Sequence, residues 1–353
     1  MNLQELILLS HLNRASQKKL LKLSTGKNFF ATQPDFFNEQ LCGLNVDLAR
    51  EQAALENNQI KLINYFADNY PKQLKEMGDP PLILYALGNL NLLARPKVAI
   101  IGSRSPNLAN YNLAAELSTY LAEQEITVVS GFARGIDTVA HQNATEHTVA
   151  VLGSGFGDIY PKENNRLFET LAESALLLTE YPYFKPPLKL NFPARNRIIA
   201  ALADIIIVLE AKLNSGSMIT ARYGLEFGKD IFAVAGHPAD SRVRGCNQLI
   251  KDGAHLLTDF REVAELAFNK ASLKFAAVAK KPQQQIAKAE FNLSAHKQRV
   301  LNLLTETGLE IEILHAAIDL PIAKFNQILA ELEIANLIYY DNFGRVCRRY
   351  NIS

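Results

Sequence analysis

Four short apolar segments dominate the middle of the chain. They are rich in Val, Ile and Leu and occupy residues 98–101, 126–129, 148–152 and 205–209. Apolar runs of this length, without polar alternation, are typical of parallel strands that are buried on both faces. Stretches with helical spacing lie between and after them, at residues 109–121, 136–144, 163–172 and 219–227. This alternation predicts an α/β fold with a doubly wound, mostly parallel sheet and right-handed crossovers.

A loop that contains glycine and serine follows each of these apolar runs. The four loops read Gly102-Ser103-Arg104-Ser105, Ser130-Gly131-Phe132-Ala133-Arg134-Gly135, Gly153-Ser154-Gly155-Phe156-Gly157 and Asn214-Ser215-Gly216-Ser217. Glycine lets the backbone turn sharply and approach a ligand, and a helix that follows directs unpaired N–H groups toward the same place. One such loop is a weak signal on its own. Four loops at equivalent strand ends predict an anion site beyond the carboxyl edge of the sheet.

Segments of different composition flank the predicted sheet. Residues 1–68 show leucines at helical spacing and predict a small helical domain of the SAM-like or helix-hairpin-helix-like kind. Residues 69–268 hold the α/β domain with its leading connector, and residues 269–293 are rich in Lys, Ala and Gln, which is typical of a linker. Residues 294–353 predict three helices and a hairpin that turns near Asn342 and Gly344, which together describe a winged-helix-like domain.

The charge of this C-terminal domain does not favour one type of partner. Residues 294–353 hold six Lys and Arg against seven Asp and Glu. The third helix offers Lys324 but also carries Glu331 and Glu333, whereas a helix that reads DNA is expected to face phosphates with positive charge. Protein contact and DNA binding therefore both remain open for this domain.

The overall charge of the chain does not indicate a nucleic-acid partner. The 353 residues include 37 Lys and Arg against 36 Asp and Glu, a formal net charge of +1, so any basic site has to be local. No apolar run reaches the ~20 residues of a membrane helix, and the N-terminus does not resemble a secretory signal. Cys42, Cys246 and Cys347 are far apart. They favour a reducing compartment and argue against a zinc site, so a cytoplasmic location is expected.

One local basic segment lies between residues 181 and 200. It contains no acidic residue, and its cations are Lys185, Lys189, Arg195 and Arg197. Prolines at positions 182, 186, 187 and 193 predict an extended loop rather than a helix here. Phe192 stands among the charges, either as a platform for a base or as a core residue. Clustered cations with an interleaved aromatic residue suit single-stranded nucleic acid.

Several motifs occur together in a specific order. They are residues 98–104, 130–137 with Ala140-His141, 151–153 with Tyr160-Pro161, 191–199, Glu210 with 215–221, and 245–250 with Gly253-Ala254. This ordered set, across roughly residues 70–260, resembles the DNA processing protein A family, also called DprA or Smf. The resemblance implies an extended Rossmann-like domain that binds single-stranded DNA without sequence preference. It also implies a homodimer that protects incoming DNA and helps to load RecA recombinase during natural transformation.

The residues expected to bind nucleic acid come from the loops and the basic segment. They are Gly102, Ser103, Arg104, Ser130, Gly131, Arg134, Gly135, Lys185, Phe192, Arg195, Asn196, Arg197, Ser215, Gly216, Ser217 and Thr220. Arginines and turn amides are expected to bind backbone phosphates, and Phe192 to stack on a base. We expect no cofactor, no metal and no membrane contact, and we predict no catalysis because no set of nucleophile, base and orienting group is visible.

Other classes of function remain open. One is a nucleotide-binding enzyme of the lysine-decarboxylase-like phosphoribohydrolase type, whose Pro-Gly-Gly loop is absent here. Another is an adaptor in which the C-terminal domain recruits a partner and DNA contact is incidental. Asp137 and His141 lie four apart on one predicted helix. We interpret them as a helix-start carboxylate and a structural histidine rather than a catalytic pair.

Overall fold

The computed structural model describes residues 3–23, 46–278, 295–304, 309, 311–318, 320–334, 337–340 and 345–348. The chain divides into two compact units, Met1–Lys280 and Lys281–Ser353. The predicted hairpin turn at Asn342 and Gly344 lies outside the described residues, as do residues 24–45 of the predicted helical domain and most of the predicted linker. No helix among the described residues is long and apolar enough to cross a membrane.

Nine described strands of the first unit form one sheet. Their bounds are β1 (Lys61–Asn64), β2 (Ile83–Gly88), β3 (Lys97–Gly102), β4 (Thr127–Ser130), β5 (Thr148–Val151), β6 (Leu176–Thr179), β7 (Ile205–Leu209), β8 (Asp230–Ala233) and β9 (His255–Leu256). The strands follow one another across the sheet in the order β1-β2-β6-β5-β4-β3-β7-β8-β9. The seven strands from β3 to β9 pair in parallel, whereas β1 and β2 are antiparallel at one edge. The predicted mostly parallel, doubly wound α/β sheet is therefore confirmed.

Helices precede the sheet and connect its strands. Their bounds are α1 (Leu3–His11), α2 (Arg14–Leu23), α3 (Leu48–Asn57), α4 (Lys72–Lys75), α5 (Leu108–Glu123), α6 (Ile136–Gln142), α7 (Asn165–Ser174), α8 (Asn191–Leu202), α9 (Gly216–Glu226), α10 (Arg244–Lys251) and α11 (Phe260–Val278). Short 3-10 turns lie at Leu90–Leu93 and Lys162–Asn164. The last helix of this unit extends ten residues into the predicted linker, whose boundaries stay a prediction.

The central strand β3 explains why the apolar runs are uninterrupted. Val98 and Ile100 belong to a core layer with residues of α5 and α6, whereas Ala99 and Ile101 belong to the layer formed with α8 and α9. Alternate side chains of a strand point to opposite faces, and both faces are covered by helices here. The strand is therefore apolar at every position from Val98 to Ile101.

The strand order reverses beside β3. From this strand the chain continues through β4, β5 and β6 on one side and then returns to β7 on the other side. In open α/β sheets a crevice forms at such a switch point, outside the carboxyl ends of the strands. The loops after β3 and β7 meet at this crevice, with the loop after β4 beside them.

The basic segment does not have the predicted extended conformation throughout. Its second half forms α8, which begins at Asn191, so the prediction of a loop up to residue 200 is wrong. Pro193 is the third residue of this helix, and the first turn has backbone N–H groups without intrahelical partners. A proline is therefore tolerated there, and the other three prolines of the segment precede the helix.

The N-terminal helices are joined to the sheet by a buried carboxylate on α3. Glu51 accepts hydrogen bonds from Tyr85 of β2 at 3.1 Å and from the backbone N–H of Tyr183 at 2.8 Å, and it pairs with His11 at 2.8 Å. Burial by itself would raise the pKa of Glu51, but the hydrogen bonds from His11 and Tyr183 lower it. This carboxylate thus connects α1, the sheet and the loop that precedes α8.

The described residues of the second unit form three helices and two paired strands. The elements are α12 (Ala295–Leu303), α13 (Ile311–Ile318), α14 (Ile322–Ile334), β10 (Ile338–Tyr340) and β11 (Val346–Arg348), with the two strands antiparallel. Its core includes Val300, Leu314, Phe325 and Leu332, all buried. The predicted succession of three helices and a hairpin is confirmed in this unit.

Candidate nucleic-acid interface

A cavity of about 840 Å³ opens at the carboxyl ends of β3, β4 and β7. It lies at the switch point, where the sequence predicts the anion site. The predicted site residues that line it are Gly102, Ser103, Arg104, Phe192, Arg195, Asn196, Ser215, Gly216, Ser217 and Thr220. Loops distant in sequence are thus brought together with the first turn of α8.

Hydrogen bonds fix the glycine loops against one another. Ser217 Oγ donates to the carbonyl of Gly102 at 2.7 Å, and Asn196 Nδ2 donates to the carbonyl of Gly216 at 3.2 Å. The loop after β4 is attached to the loop after β3 because the N–H of Ile136 donates to the carbonyl of Ser103 at 3.1 Å. The backbone amides at the cavity are therefore held in place before any ligand arrives.

Gly135 is required where these two loops touch. Its φ is +76°, and a Cβ there would collide with the carbonyl oxygen of Ser103 and the backbone of Arg104. Positive φ is readily adopted only by glycine, and the close approach leaves no space for a side chain. Gly135 thus sets how near α6 comes to the Arg104 loop.

Arg104 and Arg134 differ in how far their charge is compensated. Arg104 is exposed and makes no ion pair among the residues that the structure describes. Arg134 pairs with Glu163 at 2.5 Å, and the two side chains are 51% and 62% exposed. Exposed pairs are worth about 0–1 kcal/mol, so a phosphate can replace Glu163 at little cost. Both arginines line a small depression beside the main cavity, next to Phe192.

Two aromatic side chains stand together at the entrance to the cavity. The ring centroids of Tyr160 and Phe192 are 5.5 Å apart with an interplanar angle of 56°. Phe192 is half-buried and lines the cavity, and the guanidinium carbon of Arg134 is 5.9 Å from the centroid of the Tyr160 ring. An aromatic pair next to cations can receive a stacked base. Sequence reasoning missed Tyr160 as a contact, although the Tyr160-Pro161 pair was among the family motifs.

Arg195 is buried beneath the cavity. Its Nη1 donates to the carbonyls of Gly131, at 2.7 Å, and of Val151. Burial lowers the pKa of Arg195 to about 10, which still leaves the guanidinium charged at neutral pH. This side chain joins the ends of β4 and β5 and places a positive charge under the ligand site.

Asp137 and His141 make structural contacts on the neighbouring helix. Asp137 accepts hydrogen bonds from the N–H groups of Gly131 at 3.1 Å and Ala133 at 3.3 Å, and its burial raises the pKa of this carboxyl. The Nδ1 atom of His141 is 2.7 Å from Thr148 Oγ1, and the imidazole is fully buried. Asp137 therefore shapes the loop after β4, and His141 packs behind it.

Arg197 and Lys185 are predicted site residues that do not line the cavity. Arg197 is 3% exposed and makes a bidentate ion pair with Glu180, at 2.6 and 2.8 Å. Residues two apart on a helix differ by about 200° in direction, so Arg195 and Arg197 cannot face the same side of α8. Lys185 is exposed outside the lining, and its carbonyl accepts a hydrogen bond from the N–H of Gly155 at 2.8 Å.

The remaining loop residues support the cavity from behind. Ser130 is fully buried and its Oγ donates to the carbonyl of Ile100 at 2.6 Å. A Cβ on Gly131 would stand 2.8 Å from both Arg195 Nη2 and Asp137 Oδ2. Glycine at this position leaves room for two buried charged groups, and contact with a ligand is not needed to explain it.

Further residues at the cavity were absent from the predicted set. Lys189, Glu210, Lys212 and Arg242 line it. Glu210 is buried, and its Oε2 accepts hydrogen bonds from Asn107 N–H at 2.9 Å and Asn110 Nδ2 at 3.0 Å. These contacts attach the start of α5 to the end of β7. In the described part of the chain, no group of His, Cys, Asp and Glu side chains could hold a metal ion.

The protein has a doubly wound α/β domain, and its switch-point cavity presents exposed cations, fixed backbone amides and an aromatic pair. These features are typical of the class of proteins that bind phosphate-containing ligands. The chain belongs to the DNA recombination-mediator protein A family, whose family model matches residues 61–268. A second family model, the DprA winged helix domain, matches residues 284–339. The C-terminal unit is therefore a winged helix domain, in agreement with the fold class predicted from the sequence.

Similar proteins extend this assignment. The DNA processing protein DprA of Streptococcus pneumoniae is 44% identical over 205 residues, which cover 57% of this chain and 72% of that protein. Its X-ray structure is similar with a TM-score of 0.64 at 35% identity, over 74% of this chain and 97% of that one. DNA processing protein A of Helicobacter pylori, whose structure describes a single-stranded DNA binding mode of that protein, is similar with a TM-score of 0.56 at 33% identity, over 60% of this chain and 97% of that one.

Proposed function

We propose that this protein is a recombination mediator that binds single-stranded DNA without sequence preference, protects it and helps to load RecA recombinase during natural transformation. The observation that carries the proposal is the cavity at the switch point, where Arg104, which has no ion pair in the described part of the chain, lies beside the Tyr160–Phe192 pair. The single-stranded DNA binding mode described for the Helicobacter pylori relative supports the same chemistry.

The loops provide phosphate sites in a linear order. The strands β4, β3 and β7 are neighbours in the sheet, and neighbouring strands are about 4.8 Å apart. The loops after them therefore follow one another along the carboxyl edge, with Arg134 first, Arg104 next and Ser215–Ser217 at the start of α9 last. Successive phosphates of an extended strand bind to guanidinium groups and helix amides in this order.

The aromatic pair explains why a single strand is preferred. A base stacked on Phe192 or Tyr160 has to leave its neighbours, which is possible in a single strand but costly in a duplex. Such stacking is worth about 1–3 kcal/mol per base and tolerates every base. Contacts to the backbone carry no sequence information, so we expect similar affinity for different sequences.

The predicted contacts divide into two groups in this proposal. Arg104, Arg134, Phe192 and the amides of the two loops after β3 and β7 touch DNA. Ser130, Gly131, Gly135, Arg195, Asn196 and Thr220 position those groups. Lys185 and Arg197 are left out, because the first lies outside the cavity lining and the charge of the second is compensated by Glu180.

The partners and location are inferred from the family resemblance. We infer a cytoplasmic homodimer that contacts RecA, with no cofactor and no catalytic activity. Leu256 of β9, the last strand of the sheet among the described residues, is 46% exposed, and an apolar residue on an edge strand is a candidate contact for a second copy. Membership of the family favours this function over the phosphoribohydrolase alternative.

Fluorescence anisotropy tests the proposal directly. Labelled single-stranded and duplex oligonucleotides of several sequences are titrated with the wild type, with Arg104→Gln and with Lys61→Gln as a control that removes an equal charge at the far edge strand β1. We expect tighter binding of single strands, and a loss for Arg104→Gln that is equal across sequences. The slope of log K against log salt should become shallower by about 0.7. Tighter duplex binding, or a loss restricted to one sequence, would contradict the proposal.

The RecA step is tested separately. The rate of RecA filament formation on a long single strand is measured with and without the protein. We expect the wild type to accelerate filament formation and Arg104→Gln to lose the effect. Normal acceleration by a variant that no longer binds DNA would favour the adaptor hypothesis. Hydrolysis of nucleoside monophosphates without oligonucleotide binding would favour the enzyme.

A further inference from the structure

A second depression, of about 340 Å³, lies next to the main cavity. Its lining consists of Lys212, Leu213, Asn214, Ser215, Ser241 and Arg244. Lys212 and Ser215 line both spaces, so the depression continues the main cavity toward the loop after β8. None of the site residues predicted from the sequence lies in the loop after β8.

The walls of the second depression are a fixed part of the fold. The N–H of Gly245 donates to the carbonyl of Ala211 at 2.7 Å, and a Cβ on Gly245 would stand 2.6 Å from that same oxygen. Asn247 exchanges two hydrogen bonds with the backbone of Gly236, at 2.9 and 3.0 Å. These contacts hold the segments after β7 and β8 against each other, so the space between them is preformed.

The chemistry of the depression suits a phosphate and its sugar. Lys212 and Arg244 are exposed and make no ion pair within the described part of the chain, whereas the nearby Asp240 is already paired with Arg242 at 2.7 Å. Ser215 Oγ is buried without a hydrogen-bond partner among the described residues, and it lies where α9 begins. Leu213 is 44% exposed and provides an apolar surface between the cations.

The position of the depression matches the path of the strand in the proposed function. The strands β3, β7 and β8 are consecutive in the sheet. At about 4.8 Å per strand, the loop after β8 lies about 10 Å beyond the loop after β3. A backbone that leaves the main cavity past Ser215 meets Lys212 and then Arg244 as the next positive groups.

We propose that this depression is an additional nucleotide subsite, which binds the phosphate and sugar of the strand as it leaves the main cavity. The inference rests on the proposed single-stranded DNA binding. In the subsite, Lys212 and Arg244 bind a phosphate, Ser215 Oγ donates to a phosphate oxygen, and Leu213 contacts the sugar or base face. Binding to long single strands therefore involves more phosphates than the main cavity alone contacts.

The test compares a short with a long oligothymidylate, of about four and about sixteen nucleotides, within the range of site sizes known for such proteins. Anisotropy titrations use the full-length wild type, Arg244→Gln, Leu213→Ala and the control Lys61→Gln. Arg244 lines the second depression but not the main cavity. We expect Arg244→Gln to weaken binding of the long oligonucleotide about three- to tenfold and to reduce its salt slope by about 0.7, with the short one unchanged.

The other variants separate the possible explanations. Leu213→Ala should weaken only the long oligonucleotide and leave the salt slope intact, because no charge is removed. Lys61→Gln should change neither length. An equal loss at both lengths, or no loss for Arg244→Gln, would overturn the subsite while wild-type binding upholds the proposed function. A wild type that binds neither oligonucleotide would overturn both.

Discussion

The ring of Phe192 lies directly against the backbone of Gly153, where a Cβ would stand 2.8 Å from Phe192 Cδ1. Because Gly153 at the end of β5 has no side chain, the ring of Phe192 on α8 has space to pack there. The third glycine loop acts on the site through this contact, even though it does not line the cavity.

Gly153→Ala is expected to displace the Phe192 ring. Phe192 is half-buried and can move, so the variant should fold while losing part of the stacking, which is worth about 1–3 kcal/mol per base. Affinity for single-stranded DNA, measured by anisotropy, should fall by about fivefold or more. Gly78→Ala is the matched control, because a Cβ there meets nothing within 4 Å. Unchanged affinity in a folded Gly153→Ala protein would show that the ring position is unimportant.

Gly135→Ala should damage both stability and binding. Its backbone has φ of +76°, and the Cβ would collide with the Ser103 carbonyl. We expect a loss of about 1–3 kcal/mol in the free energy of unfolding, measured by chemical denaturation, together with weaker DNA binding. Gly228→Ala separates the two causes, since φ there is +64° but the space around it is open. If both variants lose the same stability, the contact with Ser103 contributes nothing.

Arg197→Lys tests a structural role against a binding role. The substitution keeps the charge but removes the bidentate contact with Glu180. Burial opposes the charge of Arg197, yet Glu180 raises its pKa overall. We expect the free energy of unfolding to fall by about 1–3 kcal/mol, with DNA affinity of the folded protein unchanged. Arg104→Lys should have no effect on stability, because its side chain is exposed. A selective loss of DNA affinity in Arg197→Lys would restore Arg197 to the binding set.

His141 makes the protein less stable in acid. Thr148 Oγ1 donates to the carbonyl of Val128 and so accepts a hydrogen bond from His141 Nδ1, which means that the neutral imidazole carries its proton on Nδ1. Burial lowers the pKa of His141 to about 3, while the unfolded chain has a histidine pKa of about 6.5. Stability is therefore fully present above about pH 6.5 and falls as pH decreases toward about 3, by up to ~1.4 kcal/mol per pH unit.

His141→Gln should flatten this dependence. Urea denaturation at pH 7.5 and pH 5.0 is compared for the two proteins. We expect the wild type to lose about 2 kcal/mol more than the variant between these values. Asp137 has a raised pKa and contributes with the opposite sign, but it is present in both proteins and cancels in the difference. Parallel pH profiles would mean that His141 is accessible to protons in the folded state.

The sequence predicted the sheet and the loops because both depend on local patterns. The apolar run of β3 is buried on two faces, and this condition alone selects a parallel strand in the middle of a sheet. Once several such strands are parallel, their carboxyl ends must share one edge. The prediction that Arg104, Ser103 and Ser217 lie close together therefore needs no information about their side-chain contacts.

The failures occurred where tertiary contacts or helix phase decide the outcome. The prolines of the basic segment suggested a loop, but Pro193 sits in the first turn of α8 and does not interrupt it. In the helix, Arg195 and Arg197 point in different directions. In an extended strand, residues two apart lie on the same face. Tyr160 lies next to Phe192 because of the path of the loop after β5. No periodic pattern in the sequence predicts this contact.

The order of the strands means that the binding surface is assembled from pieces that are far apart in the chain. The loops at residues 131–134, 102–105 and 212–217 are neighbours at the sheet edge, but their sequence order is different. A proteolytic fragment or a nascent chain that ends before β7 therefore carries an incomplete surface. Under the proposed function, a copy of the chain therefore makes the full set of DNA contacts only after β7 and the start of α9 have been added.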